Sequence, residues 1–219
     1  MASSLLFHRE RRALEQERVA HEETLSALAS SLDLREHATA LHSRRVQEYT
    51  ILLARRMGLK DETDLLNIAI GALLHDVGKI GVPDEVLLKQ GELTEKERNE
   101  VRRHPDLGAS LIDRIPFLAG AREIVLSHHE KYDGNGYPKG LAGEDIPIGG
   151  RIFSVADVFD ALTTNRPYRP SLSYREAAEF IAGKKGSHFD PAMVDVFLAV
   201  PYRVWEEAAS RYGVTLREA

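Results

Sequence analysis

Histidine and aspartate recur along the middle of the chain at intervals that fit a bundle of helices. Five of these residues are separated by 33, 29, 24 and 29 positions, and each interval is about one helix plus one connection. Side chains spaced in this way come from different helices and can converge in one core. The five residues are His42, His75, His104, His128 and Asp157.

Two adjacent pairs, His75-Asp76 and His128-His129, add further donors to this series. Imidazole and carboxylate ligands suit iron, manganese, nickel or zinc, and a number greater than four predicts more than one ion. Asp76 has two carboxylate oxygens and is the natural bridge between neighbouring ions. Taken alone, the His75-Asp76 pair would also fit a hydrogen-bonded pair in the core. The rest of the series favours metal binding.

Composition narrows the chemistry further. The chain has 219 residues with nine His and no Cys, which excludes disulfides, thiolate zinc sites, iron–sulfur clusters and cysteine nucleophiles. A formal net charge of −5 gives no general electrostatic reason to bind DNA, RNA or an anionic membrane. The sequence has no apolar run of about 18 residues and no secretory-signal pattern, so we expect a cytoplasmic protein without a membrane span.

The first segment, residues 1–34, contains neither Gly nor Pro and is predicted to form one long helix. Its apolar residues fall near a 3,4 spacing, although Arg11 and Arg18 interrupt the stripe. This pattern favours a dimerising or packing helix, with a coiled coil as one form of it, over a free solvated helix.

The elements after this segment are also predicted to be helical, so the expected fold class is all-α. Capping boxes begin two helices, at Thr94 with Glu97 and at Ser173 with Glu176. Asp190-Pro191 reads as the N-cap and first residue of another helix. The predicted helices cover residues 35–57, 62–75, 94–103, 104–115, 118–129 and 151–163, with further helices from 173 and 190.

Six segments of the chain resemble the HD-GYP phosphodiesterases of bacterial cyclic di-GMP signalling, a branch of the HD-domain metal-dependent phosphohydrolases. The HD pair, the HHEKYDGNGYP loop and the DVFDALTTNRPYR segment together make the resemblance specific. The matching segments are HSRRV at 42–46, LLHDVGKIGVP at 73–83, HPDLGASLI at 104–112, SHHEKYDGNGYPKGL at 127–141, RIFSVADVFDALTTNRPYRP at 151–170 and HFDPAMVDVF at 188–197.

The resemblance implies an HD-domain helical bundle that hydrolyses cyclic di-GMP to linear pGpG, and in some members onward to GMP. Lys79 resembles the lysine that approaches the scissile phosphate, and Arg166 and Arg169 resemble the basic pair that holds the substrate phosphates. A solvated lysine and simple surface arginines are the alternatives. The implied metal ligands are His42, His75, Asp76, His104, His128, His129 and Asp157, with Asp76 as the bridge.

The chemistry of these residue types agrees with that reaction. A bridged metal pair activates water at neutral pH and neutralises charge as an in-line displacement develops on phosphorus. Lys79 follows Asp76 by three residues, so its ammonium can reach the same phosphate. Asp160 could support a ligand or Lys79, or it could form a pair on the helix surface. Tyr137 could stack on a guanine or anchor the Gly-rich loop.

One position departs from the family pattern. Many members carry a Glu four residues before the first ligand histidine, where it helps to hold a third metal ion. This chain has Ala38 at that position. We therefore expect two divalent ions, iron or manganese with nickel or zinc as alternatives, in preference to three.

The predicted organisation has three parts. Residues 1–34 form a linker or dimerisation helix, 35–200 form the catalytic domain, and 201–219 form a helical extension. The expected partners are cyclic di-GMP, a second copy of the chain through the N-terminal helix, and an upstream sensor domain or a diguanylate cyclase. Two other functions remain open: a non-catalytic module that binds cyclic di-GMP or docks a cyclase, and a phosphohydrolase of another nucleotide.

Overall fold

A computed structural model describes residues 2–35, 41–165 and 169–219 of the chain. Within these ranges the secondary structure is helical and contains no strand, which confirms the all-α prediction. The α-helices are α1 (Ala2–Arg35), α2 (His42–Arg56), α3 (Glu62–Leu73), α4 (Asp84–Leu87), α5 (Glu95–Val101), α6 (His104–Ile112), α7 (Arg122–Ser127), α8 (Ile148–Thr163), α9 (Tyr174–Ala182), α10 (Pro191–Ala199) and α11 (Tyr202–Ser210). Short 3-10 segments lie at Val77–Gly81, Pro116–Ala121 and Gly143–Asp145.

The predicted helix starts are confirmed where side-chain caps were expected. At the start of α5, the Thr94 hydroxyl accepts from the backbone N–H of Glu97, and the Glu97 carboxylate accepts from the backbone N–H of Thr94. The same reciprocal pair is present at the start of α9. At α10 the Asp190 carboxylate accepts from Ala192, and a proline follows the cap directly. These caps satisfy N–H groups that a helix end otherwise leaves unpaired.

Several helices are shorter than predicted. Residues 36–40 lie outside the described ranges, and α2 begins at His42 after Leu41, whose φ is 65°. Helix α6 ends at Ile112 instead of continuing to 115, because Pro116 favours extended backbone at Ile115. The predicted helix over 118–129 is a 3-10 segment followed by the short α7.

Apolar side chains pack into two clusters. The larger one surrounds α8, which is buried along most of its length, and it includes Phe159 and Trp205. The smaller cluster contains Leu25, Ala29 and Leu32 from the last turns of α1, packed with residues of α3, α6 and α7. The end of α1 therefore contributes to the core of the bundle. Among the described helices, none combines the length and the apolar composition of a membrane span.

Close backbone approaches bring the elements of the site together. A Cβ at Gly78 would lie 1.9 Å from the carbonyl oxygen of His104, and a Cβ at Gly150 would lie 2.4 Å from the Ser127 hydroxyl oxygen. With any other residue, the His104 backbone or the Ser127 side chain would have to shift to make room for the Cβ. The two glycines therefore allow the 3-10 segment to pack on α6, and α7 to pack on α8.

Candidate metal centre

The histidines and aspartates singled out from the sequence come from five elements and converge in the structure. Most of them lie at helix ends, where the backbone turns towards the bundle centre. His42 and His104 begin α2 and α6, the His75-Asp76 and His128-His129 pairs follow α3 and α7, and Asp157 lies within α8. Neighbouring imidazole centroids are 4.1 to 5.5 Å apart.

Asp76 presents one carboxylate oxygen to each of two groups of donors. Its Oδ1 lies 3.3 Å from His104 Nε2 and 3.8 Å from His128 Nε2. Its Oδ2 lies 3.1 Å from His75 Nε2. The donor atoms of each group lie within 4.8 Å of one another, and the groups are Asp76, His104, His128 and His129, and His42, His75 and Asp76.

Asp157 extends the second group. Its Oδ1 lies 3.5 Å from His42 Nε2, and its side chain is 26% exposed. All seven residues predicted as ligands are therefore within the described structure and close to one another.

The hydrogen bonds at Nδ1 leave Nε2 of four imidazoles directed into the centre. Three of these rings place Nδ1 against the carbonyl three residues earlier, at 2.9 Å for His75, 2.7 Å for His104 and 2.8 Å for His128. The carbonyl only accepts, so Nδ1 carries a proton in each of these rings, and Nε2 is the nitrogen left to bind a metal ion. The fourth, His42 Nδ1, lies 2.7 Å from Asp160 Oδ2.

Asp160 and Arg45 form a buried support for His42. The carboxylate is fully buried, and its Oδ1 accepts from Arg45 Nε at 2.7 Å while Oδ2 accepts from Arg45 Nη2 at 3.0 Å. Burial opposes ionisation, but the hydrogen bonds from His42 and Arg45 outweigh it and hold the pKa of Asp160 below its ordinary value. Of the roles the sequence left open for Asp160, this contact matches support of His42, one of the predicted ligands.

Burial keeps most of these imidazoles neutral. It lowers the pKa of His128 well below the usual value and that of His129 to about 3, with neighbouring imidazoles adding to the effect. Burial also lowers the pKa of His104. At His75 burial acts in the same direction, but the adjacent Asp76 carboxylate outweighs it and raises the pKa to about 9. Neutral imidazole is the form that binds metal.

Two buried contacts fit a positive charge in this centre. Asp76 Oδ1 is buried and accepts no hydrogen bond from any residue that the structure describes. Nearby, His104 Nε2 and His128 Nε2 are only 3.0 Å apart, and both rings place their Nδ1 against a carbonyl. The Nε2 lone pairs of these two rings therefore face each other. This contact and the unsatisfied Asp76 oxygen both destabilise the fold unless a cation lies between the groups. The donor set of nitrogen and oxygen suits transition metals.

The three cationic residues predicted to act on phosphate differ in their surroundings. Lys79 lies in the 3-10 segment, and its Nζ donates to Asp76 Oδ2 at 2.8 Å. Arg169 Nη2 donates to the carbonyl oxygen of Ala161, one turn after Asp157 on α8. Arg166 lies outside the described ranges, as does Ala38.

The Gly-rich loop lies against His129. The Tyr137 ring stacks on the His129 ring with centroids 4.6 Å apart, and the backbone N–H of Tyr137 donates to the carbonyl of His129. Buried Glu130 accepts from the backbone N–H groups of Lys139 and Leu141 at 2.8 and 3.1 Å. Tyr137 and Glu130 therefore both anchor the loop beside the metal centre. Sequence reasoning did not assign Glu130 this role, although it directly follows the histidine pair.

Comparison with known proteins identifies the family. The sequence-family model for the HD domain matches residues 25–193 of this chain. The chain belongs to the HD domain family. A cyclic di-GMP phosphodiesterase of Vibrio cholerae is 45% identical over 191 residues, which are 81% of this chain and 38% of that protein. These findings confirm the HD-GYP resemblance.

Other relatives of this HD domain carry a different substrate in their names. A 3′3′-cGAMP-specific phosphodiesterase 2 of Vibrio cholerae is 39% identical over 83% of this chain and 35% of that protein. This chain thus spans less than half the length of both relatives. The crystal structure of a cyclic GMP-AMP-specific phosphodiesterase of the same organism has a TM-score of 0.62 at 22% identity, covering 85% of this chain and 52% of that one. This similarity shows a shared fold.

Proposed function

We propose that this HD domain is a metal-dependent phosphodiesterase that hydrolyses cyclic di-GMP to linear pGpG, with cleavage onward to GMP as a second step. The observation that carries the proposal is the placement of Asp76, which directs one oxygen to each of two donor groups. A bridging carboxylate between two sets of imidazoles is suited to a pair of ions that act on one phosphate. The names of the most similar relatives support the substrate.

The predicted ligands would divide between two ions. His104, His128 and His129 would hold one and His42, His75 and Asp157 the other, with Asp76 shared. Iron or manganese suits this donor set best, with nickel or zinc as alternatives, and Ala38 offers no carboxylate for a third ion. Bound divalent ions would supply Lewis-acid chemistry, neutralising phosphate charge and activating water at neutral pH.

The remaining residues orient the substrate and stabilise charge. Lys79 already lies beside the Asp76 carboxylate, so its ammonium is positioned to meet a phosphate oxygen brought to the same place. Arg166 and Arg169 would hold the substrate phosphates. A guanidinium has five N–H donors, so Arg169 can keep its bond to the Ala161 carbonyl and still contact a phosphate.

The test is incubation of the purified protein with cyclic di-GMP and either Mn(II) or Fe(II), with pGpG and GMP separated by chromatography. We expect linear product from the native chain and none from Asp76→Ala, which removes both shared oxygens. Asp195→Asn is the matched control, since Asp195 pairs with Lys185 on the surface. A folded, metal-loaded native chain that forms no linear product would refute the proposal.

The 3′3′-cGAMP activity named for a relative is the second candidate, and other nucleotides form a third. Hydrolysis of 3′3′-cGAMP would be the same reaction on a substrate with one base changed. The rates of hydrolysis of both cyclic dinucleotides, of linear dinucleotides and of mononucleotides are therefore measured at matched concentrations. Tight binding of cyclic di-GMP without turnover would favour the non-catalytic module. The presence of both His75 and Asp76 favours catalysis.

We also propose the three-part organisation and a dimer formed through residues 1–34 in the cytoplasm, with a sensor domain or diguanylate cyclase as partner. Leu25 and Leu32 of the apolar stripe pack into the core, so a two-stranded coil would use the residues before them. Removing residues 2–20 should convert dimer to monomer in light scattering while metal content is kept. The truncated protein keeps the proposed extension 201–219, because Trp205 in that segment is fully buried in the larger apolar cluster.

A further inference from the structure

The end of α1 contacts the 3-10 segment that carries Lys79. Arg35 is the last residue of α1, and its Nη1 and Nη2 donate to the carbonyl oxygens of Lys79 and Val82, both at 2.8 Å. Its Nε donates to Asp84 at 2.9 Å. The guanidinium therefore spans the end of the segment and bonds to two of its backbone oxygens.

These contacts fix a backbone that belongs to the centre. The segment Val77–Gly81 begins directly after Asp76, and the Lys79 carbonyl bonded by Arg35 also accepts from Val82 N–H at 3.0 Å. On its inner side, Gly78 lies against the carbonyl of His104. The segment is thus held between α6 and Arg35, so the guanidinium determines how far it can move away from the centre.

A second contact of α1, two residues earlier, reaches the start of α2. Asp33 is 8% exposed, and its carboxylate accepts from the Ser43 hydroxyl at 2.9 Å and from the Ser43 backbone N–H at 3.3 Å. Leu41, the residue before α2, supplies no side-chain cap. The Asp33 carboxylate therefore takes the capping role for the helix end whose first residue is His42.

We propose that Asp33 and Arg35 are positioning residues of the metal centre, Asp33 for His42 and Arg35 for Asp76 and Lys79. This inference rests on the proposed function, because it assigns the three positioned residues to ligand binding and to the phosphate. The last turn of α1 would then position the metal centre, although Asp33 lies within the proposed linker helix.

The first arm of the test measures metal affinity without substrate, by competition with a chromogenic chelator. Moving an imidazole or carboxylate ligand through its supporting contact costs on the order of 10- to 100-fold in affinity. We expect losses of this size for Asp33→Ala and Arg35→Ala, with partial recovery in Asp33→Asn and Arg35→Lys, which each keep one hydrogen bond. Circular dichroism establishes that each variant is folded.

Matched controls separate positioning from stability. Asp84→Asn removes the negative charge beside Arg35 but leaves both bonds to carbonyls, and Arg211→Ala removes a surface ion pair with Glu48. Both should bind metal as the native chain does. Folded Asp33→Ala and Arg35→Ala proteins with native metal affinity would overturn the inference.

The second arm measures turnover of cyclic di-GMP at saturating metal. Misplacing Lys79 should lower kcat for Arg35→Ala by on the order of 10- to 100-fold with little change in KM, and Arg35→Lys should recover part of it. If Arg35→Ala had the kcat of the native chain, Arg35 would not position Lys79. If the native chain cleaves no cyclic dinucleotide, the proposed function fails, while the affinity arm still decides whether α1 positions the ligands.

Discussion

The buried carboxylate of Asp160 provides a direct test of how the protein orients His42. Three N–H groups converge on its two oxygens, at 2.7 Å from His42 Nδ1, 2.7 Å from Arg45 Nε and 3.0 Å from Arg45 Nη2. Asp160→Asn keeps the shape of the side chain but leaves only one oxygen that can accept a hydrogen bond. The NH2 group that replaces the other oxygen must then face an N–H of His42 or Arg45. Because Arg45 is only 1% exposed, its guanidinium then lies buried against an amide instead of a carboxylate.

Breaking a buried ion pair in this way costs about 3–5 kcal/mol of unfolding free energy. We expect that loss for the metal-free Asp160→Asn protein in urea denaturation, together with metal affinity lower by on the order of 10- to 100-fold. The double variant Asp160→Leu/Arg45→Met should recover most of the stability, since it buries no charge, but not the metal affinity, since His42 Nδ1 still lacks its carboxylate.

Two results would refute this reasoning. An Asp160→Asn protein within about 1 kcal/mol of native stability would mean that the pair is not buried as described. A double variant that regains native metal affinity would mean that Asp160 acts on the fold and not on His42. Asp195→Asn, on the surface, is the control for loss of one carboxylate.

Three further predictions concern other parts of the centre. Gly78→Ala should lower unfolding free energy by at least about 1–3 kcal/mol in urea denaturation, because its Cβ would overlap the His104 carbonyl, and native stability would contradict that packing. Glu130→Ala should speed hydrogen exchange at the Lys139 amide, which loses its acceptor, whereas unchanged exchange would show that Glu130 does not hold the loop. The pKa of His75, raised to about 9, means that metal-free protein carries a proton there at pH 7, so metal binding should release it. Calorimetric titrations in two buffers of different ionisation enthalpy measure that release, and identical heats would contradict it.

The same pKa gives the sign of a stability change in metal-free protein. Protonated His75 beside the Asp76 carboxylate stabilises the folded state below the ordinary histidine pKa. That contribution is lost as pH rises from about 6.5 through about 9. Urea midpoints of metal-free protein should therefore fall across this window more in the native chain than in His75→Gln.

Local signals in the sequence were sufficient to predict that the chain is helical and where several helices begin. The capping boxes at Thr94 and Ser173 depend on side chains three residues apart, so short-range chemistry predicts them. Helix bounds near Leu41 and Ile115 were less predictable, since a positive φ and a residue before proline interrupt runs that look helical. The intervals between histidines indicated convergence because each matches one helix and one connection.

The contacts that orient those ligands could not be read from the sequence. Asp160 is 118 residues from His42, and Arg35 is 44 residues from Lys79. A single sequence contains no local pattern for contacts between elements so far apart. For the same reason, the sequence left Asp160 with several roles and did not assign any to Asp33, Arg35 or Arg45.

The sequence by itself determined that the protein is an all-α HD domain, with nitrogen and oxygen donors and no thiolate. Those properties follow from residue types, short-range capping and motif spacing. Only the tertiary structure decided which oxygen of Asp76 faces which imidazoles, which ring nitrogen points inward, and that the end of α1 bonds to Ser43 beside His42 and to the Lys79 carbonyl. These features depend on how helices pack, and packing is set by burial of apolar faces from every part of the chain at once.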